Sequence, residues 1–362
     1  MTNKRDLFLQ AVDVWMFRDG KPFDVGGGYR AESMFPPFPS TIQGALRSHE
    51  LVLAGIDVKD QDAIEAHVGD AANTRNFKVM GTFIAQQEKD KVIVYLPVPA
   101  NAAPEEGKGW RCLKPTEPKT GVLTSSKLPQ LLWSEYDPVK HHDFGDWLSL
   151  EEWEKFWNND EPVKGNAKDL FVRESRFGIA ISGKSHTVEE SQLYEAEFIR
   201  PVEDVGLLVE TEGFTLSGWE KGLLRFGGEG HAATYQTLVN APDWTPAPKP
   251  LPKKFAVCFI TPTFFRGGWQ PGNGDWSKFF DGNVNLVSAA FSRPHSVGGF
   301  DWAKFKRNPK DAEAHKPAKK YIPAGSVYFF ENQSATALTK PFMADEGENF
   351  GFGRILIQEC KS

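Results

Sequence analysis

Leu7-Phe8-Leu9-Gln10-Ala11-Val12-Asp13-Val14-Trp15-Met16-Phe17 is the stretch from which the fold of this chain is read. Its β-branched and aromatic content predicts a first strand. A Gly- and Pro-rich loop follows, through Gly26-Gly27-Gly28 and Phe35-Pro36-Pro37-Phe38-Pro39, to Ser40-Thr41. That pair is expected to N-cap a helix carrying Ile42, Ala45, Leu46, His49 and Leu53 on one face. Phe77 to Gln87 and Lys91 to Val98 read as strands joined by the charged turn Glu88-Lys89-Asp90. Strand, helix, strand, strand opens a ferredoxin-like βαββαβ unit, so the expected class is α+β.

From about 99 to 190 Pro-, Gly- and charge-rich sequence interrupts this pattern and reads as an insertion. It holds one helix, announced by a capping box of Ser149 and Glu152 ahead of Leu150, Trp153, Phe156 and Trp157. Strands resume at Leu193 to Ile199 and Val205 to Glu210, followed by a short helix over Leu216 to Gly222 and an edge hairpin over Leu223 to Val239. The proline-rich run Asp243 to Pro252 reads as a linker. Beyond it, Phe255 to Thr261, Val284 to Phe291, Gly325 to Phe330 and Arg354 to Ile357 read as strands, and Trp276 to Phe280 as a short helix. This order predicts two ferredoxin-like domains, 1–242 with the insertion and 253–362.

Composition fits a globular chain: 362 residues, 40% hydrophobic and 25% charged, with 28 Phe and 11 Trp. Met1 to Asp6 is polar, and no apolar run approaches the ~18 residues of a membrane span. A cytoplasmic protein is expected. Cys112, Cys258 and Cys360 have no metal or disulfide spacing and read as buried thiols. A formal charge of −6 argues against coating nucleic acid by bulk electrostatics. Between Lys249 and Lys320, however, 13 Lys/Arg stand against 5 Asp/Glu, so one stretch can face phosphates.

Three segments carry candidate chemistry. Gly227-Gly228-Glu229-Gly230 surrounds a carboxylate with residues that tolerate positive φ, as in a tight hairpin turn or a cradle of N–H groups for phosphate. It has no GK[ST] and no strand-to-helix context, which excludes a nucleotide P-loop. Gly351-Phe352-Gly353-Arg354 combines aromatic, glycine and cation, as in a bulged final strand or a base-stacking site. Lys304, Lys306, Arg307, Lys310, Lys316, Lys319 and Lys320 interleave with Phe300, Trp302 and Phe305, which suits either single-stranded RNA or solvated surface.

Catalytic and metal chemistry find little support. His141-His142-Asp143 has no second cluster at ligand spacing and reads as a surface loop. His49 lies on the apolar helix face as a core histidine, and His231 directly follows the glycine loop. Neither a metal nor a cofactor is expected.

The segments also occur in a distinctive order. Phe38-Pro39-Ser40-Thr41-Ile42-Gln43-Gly44-Ala45-Leu46-Arg47 comes first, then Arg176-Phe177-Gly178-Ile179 with Leu193-Tyr194, then Gly227-Gly228-Glu229-Gly230. Thr261-Pro262, Gly298-Gly299-Phe300-Asp301 and Pro323-Ala324-Gly325-Ser326-Val327-Tyr328 complete the set. The ordered set spans nearly the whole chain and resembles the third subunit of the Cmr module, the type III-B CRISPR effector, a member of the RAMP (repeat-associated mysterious protein) superfamily. The resemblance implies paired ferredoxin-like, RRM-related domains, no catalysis in this subunit, and no cofactor. Its implied partners are the guide RNA, whose 5′ handle such a subunit caps, the large polymerase-like subunit and the first backbone subunit.

Carried over by position, Ser40, Thr41 and Arg47 would stand near RNA, and Gly227, Gly228, Glu229 and Gly230 would form an RNA-facing loop. Gly351, Gly353, Arg354, Lys304, Lys306 and Arg307 complete the candidate RNA contacts. The family usually has an arginine after GGEG, where this chain has His231. Histidine is mostly neutral near pH 7, so a permanent charge on phosphate is missing there. Two rivals remain at this level. One is a metal-independent, guide-RNA-processing endoribonuclease of the RAMP type; the other is a carbohydrate-binding module stacking sugars on Trp269, Trp276 and Trp302.

Overall fold

The structure is a computed structural model, and it describes residues 4–18, 30–69, 74, 77–89, 91–135, 145–159, 161–165, 170–181, 188–213, 218–240, 242, 244, 247–300 and 315–360. The chain forms two compact units, each discontinuous in sequence. The first comprises Met1–Lys91, Asp169–Asn240 and Ser296–Lys319, and the second Val92–Lys168, Ala241–His295 and Lys320–Ser362. Antiparallel strands dominate both, with few helices, so the class is α+β.

The labelled elements belong to the first unit, in chain order. They are β1 (Lys4–Ala11), β2 (Arg30–Ala31), α1 (Pro39–Leu53), α2 (Gln61–Val68), β3 (Lys78–Glu88), β4 (Phe171–Ile181), β5 (Val188–Pro201), β6 (Val205–Glu212), β7 (Lys221–Arg225) and β8 (Ala232–Thr237). Five of them form antiparallel ladders in the order β7-β8-β1-β6-β3. Leu9 is the register point: it faces Leu207 of β6 on one side and Tyr235 of β8 on the other. Leu7, Phe8, Leu9, Leu207, Leu208 and Val209 are all essentially inaccessible to solvent. A strand apolar on successive residues fits a sheet buried on both faces.

α1 starts two residues earlier than a cap at Ser40 would set. Phe38 is the N-cap, Pro39 takes the first turn, and no side chain caps the helix. Ser40 and Thr41 therefore lie inside the first turn, both exposed, rather than at the cap. Proline is preferred there because its missing N–H would be unpaired anyway and its φ is already helical. Ile42 and Leu46 are buried, as their spacing requires.

The first strand also stops short. It ends at Ala11, and Val14 to Phe17 continues as extended chain bridged to β5 through the reciprocal Trp15 and Ile199 backbone hydrogen bonds. Period-2 alternation then separates two cores. Trp15 and Phe17 join Phe35 and Phe226 in an aromatic cluster, while Val14 and Met16 join Ala31, Ala196 and Phe198.

β4 and β5 form a long hairpin, with β2 added in parallel along β5. β4 lies within the stretch read as an insertion. Charged residues on both of its faces hide its alternation. The expected helix over Leu216 to Gly222 overlaps residues 214–217, outside the described residues, and its remainder enters β7 at Lys221.

The second unit is built on an antiparallel sheet of order Val284–Ala290, Val327–Asn332, Lys254–Phe259, Ile355–Glu359. One face, with Phe255, Val257, Phe259, Tyr328 and Phe330, packs on Phe265, Trp276, Phe279 and Phe280. The expected helix over Trp276 to Phe280 is instead a turn. Burying three large aromatics from so short a segment outweighs one helical turn, whose nucleation is unfavourable. The helix Leu150–Asn158 carries the capping box as read: the Ser149 hydroxyl accepts from the Glu152 N–H, and the Glu152 carboxylate accepts from the Ser149 N–H. Among the described residues, no helix is long and apolar enough to cross a membrane.

Candidate nucleic-acid interface

The glycine segment is the turn that joins β7 to β8. Phe226 N–H donates to His231 O (2.8 Å), closing it, and Gly228 N–H donates to Met16 O (2.8 Å), tying it to the extended strand. Gly227 has φ +90°, and a Cβ there would stand 2.8 Å from the Met16 carbonyl oxygen. Glycine is required at this position for both reasons. Gly230 (φ +76°) and Glu229 (φ 54°) are also left-handed. Glu229 and Gly230 N–H groups meet no acceptor among the described residues, whereas the Gly228 N–H is engaged. The segment is thus a tight hairpin turn between two antiparallel strands.

Beside this turn the fold opens a cavity of ≈ 260 Å³. Met16, Arg18 and Ala31 line it from the N-terminal strands, Arg176, Phe177, Gly178, Tyr194, Ala196 and Phe198 from the β4–β5 hairpin, and Glu229 from the turn. Gly178 and Tyr194 are directly paired across the hairpin. Pleating puts Arg176, Gly178, Tyr194, Ala196 and Phe198 on one hairpin face. The Arg176 guanidinium layers over the Phe198 ring at 4.7 Å, and the His231 ring meets the same phenyl edge-on at 5.3 Å. Tyr194 is 40% exposed and Phe177, on the other face, 70%.

Charge on the two faces of the hairpin is held in two networks. Arg176 and Arg200 both pair with Glu174 and Asp13, with Arg200 at 2.7 Å from each carboxylate. Hydrogen bonds from Arg200 hold both Asp13 and Glu174 below the ordinary carboxylate range. On the opposite face of the hairpin, Glu197 is buried and accepts from Ser33 N–H (3.2 Å), Arg173 (2.5 Å) and Arg30 (3.4 Å). The Ser33 hydroxyl in turn accepts from Phe17 N–H at 2.8 Å. This network fixes β2 against the hairpin.

The other sequence candidates lie elsewhere. Ser40 and Thr41 do not line the cavity, and the Arg47 guanidinium donates to Gly69 O, fastening α1 to the end of α2. His49 is the core histidine its spacing implied: its Nε2 is 3.0 Å from the Tyr235 hydroxyl, its ring packs on Trp219, and burial pushes its pKa down. In the second unit, Gly351 (φ +90°) and Gly353 (φ +76°) shape the turn into the last strand. Phe352 is buried against Tyr321, and Arg354 lies over Trp244 and Phe342. Trp276 is 7% exposed, a core residue, which removes it from any sugar platform. Lys304, Lys306, Arg307 and Lys310, with Trp302, Phe305 and His141-His142-Asp143, lie outside the described residues.

Arg18 and Phe198, which the residue-by-residue reading did not select, are cavity residues. Their signal was present in the alternation of Val14 to Arg18 and of Tyr194 to Phe198.

A family model for the CRISPR-associated protein Cas_Cmr3 matches residues 7–360. The chain belongs to this family. It is a Cmr3-type subunit of a type III-B CRISPR effector, as the order of its motifs implied. No curated protein matches it. Solved structures similar to this Cas_Cmr3 chain include the type III-B Cmr-beta bound to cognate target RNA and AMPPnP, with 15% identity over 90% of this chain and 86% of that one and a TM-score of 0.47. The same assembly bound to cognate target RNA gives 15% identity over 90% and 86%, with a TM-score of 0.45. A Csm1–Csm4 cassette in complex with AMPPNP gives 12% identity over 95% and 100%, with a TM-score of 0.35.

Proposed function

We propose that this Cas_Cmr3 chain is a non-catalytic, RNA-binding subunit of a cytoplasmic effector for antiviral defence. It caps the 5′ handle of the guide RNA and docks the large polymerase-like subunit and the first backbone subunit. One observation carries the reading: Arg176, Gly178 and Tyr194 share a single open cavity with Glu229 of the glycine turn, although they are far apart in sequence. Exposed aromatics and guanidinium planes stack on unpaired bases, and turn N–H groups receive phosphate oxygens.

Strand order supports the fold part of the proposal. Taking β1, β3, β6 and β8 as the four ferredoxin strands, their order β8-β1-β6-β3 is the antiparallel 4-1-3-2 arrangement. The sheet of the second unit repeats it. We read 1–242 and 253–362 as two ferredoxin-like domains on this basis, with the stretch near 99–190 inserted in the first.

His49 and His231 both pack against aromatic neighbours, which favours binding over histidine-dependent cleavage. The test uses the full chain with repeat RNA in the absence of metal, beside His231→Ala and His49→Ala. Intact RNA is expected throughout; cleavage that needs either histidine would establish the nuclease instead. Co-expression with the rest of the operon should recover spacer-containing RNAs sharing one 5′ handle. Recovery of random cellular RNA would overturn the proposal.

A further inference from the structure

The cavity holds a group that phosphate binding does not explain. Glu229 lines it, and among the described residues Glu229 has neither an ion pair nor a hydrogen bond for its carboxylate. A bare carboxylate repels the phosphate backbone, so at an RNA-facing turn it weakens non-specific binding. Its backbone adds a second disfavoured feature. Glu229 sits at φ 54°, a region that glycine adopts freely and a glutamate adopts with strain. In a turn whose other three members are glycines, the residue that is not glycine is the one that lines the cavity.

Resting on the RNA-binding reading above, the geometry points to a base-specific pocket in which Glu229 accepts hydrogen bonds from the Watson–Crick edge of one unstacked guanine. Only guanine presents two adjacent donors, N1–H and N2–H, to a carboxylate. Adenine and cytosine each place an acceptor beside their amino group, and uracil places its single N–H between two carbonyl oxygens. The volume, ≈ 260 Å³, is below the ~300–1,000 Å³ of pockets for drug-sized ligands and suits a single base. Tyr194 supplies an aromatic plane whose ring occupies the space over Gly178, and Arg176, held on Phe198, supplies a cationic one. The floor of Met16, Ala31 and Ala196 is apolar, as a base face requires.

The experiment measures equilibrium binding of the full chain to fluorescent oligouridines carrying one central guanosine, inosine or adenosine. A bidentate base contact predicts that guanosine binds roughly 5- to 150-fold tighter than adenosine. Inosine, which lacks the N2 amino group, falls between them. Glu229→Gln should bring the three within about twofold, since an amide presents only one acceptor to the paired donors. Glu229→Gly should do the same while keeping or raising the melting temperature, which separates lost contact from lost fold. A guanosine preference that survives both substitutions overturns the pocket, as does the absence of any preference. In the latter case, binding that still weakens in Tyr194→Ala preserves the RNA-binding reading; no RNA binding at all overturns both.

Discussion

Tyr194 fills the space that a side chain on Gly178 would need: a Cβ at Gly178 would fall 2.1 Å from Tyr194 Cζ and 2.4 Å from its hydroxyl. The two residues are directly paired across the β4–β5 hairpin, and the ring is 40% exposed. A glycine here weakens the strand, but it lets an aromatic ring cover its backbone beside the cavity.

Gly178→Ala is therefore expected to displace the Tyr194 ring without unfolding the hairpin, because the clash is with the far end of a rotatable side chain. RNA affinity should fall by about 1–3 kcal/mol, the worth of one base stack, as in Tyr194→Ala. The melting temperature should move by no more than ~2–4 °C. Filter binding and a thermal scan check both.

Gly227→Ala meets backbone rather than side chain. The Met16 carbonyl oxygen, 2.8 Å from the added Cβ, belongs to the extended strand and accepts from Gly228 N–H, so it cannot turn away freely. With the left-handed φ of +90°, a loss of about 1–3 kcal/mol is expected, read by chemical denaturation. Gly230→Ala has open space around it, so only the left-handed backbone opposes it, and it should lose about 1–2 kcal/mol.

Arg173→Met removes the closest cation from buried Glu197, leaving Ser33 N–H and the longer Arg30 contact. An under-compensated buried carboxylate costs about 1–3 kcal/mol. Adding Glu197→Gln should recover part of that loss, because the neutral amide no longer needs a cation. A double-mutant cycle in urea tests the coupling.

Acidification should weaken the first unit through His49. Burial depresses its folded pKa below the ordinary 6.5, so the unfolded chain binds more protons as pH falls. The stability it contributes is complete above pH 6.5 and is lost as pH drops through 6.5 toward the folded pKa. His49→Gln should flatten the pH dependence of the denaturation midpoint in that window. His295 is depressed in the same direction, so the difference between parent and variant isolates His49.

Much of this was legible without coordinates. The apolar run Leu7-Phe8-Leu9, the strands near Phe255 and Val327, the capping box at Ser149 and the core position of His49 follow from local periodicity and donor pairing, which depend on near neighbours only. The β4 strand was hidden because charged and apolar residues stand on both faces of a hairpin largely open to solvent, which leaves no clean alternation. The short helices failed where burial of Trp276, Phe279 and Phe280 decided the backbone.

What the amino-acid order determined by itself is the α+β class, the tight turn at Gly227 to Gly230 and the ordered motifs that mark the family, since each is a property of a short stretch or of its sequence position. The tertiary structure alone decided that the turn carrying Glu229 closes over the hairpin face of Arg176, Gly178 and Tyr194. That meeting depends on the register of β4 with β5, the bridge between Trp15 and Ile199 and the Glu197 network. These are non-local pairings, set by the free energy of the whole packed unit, and spacing along the chain does not encode them.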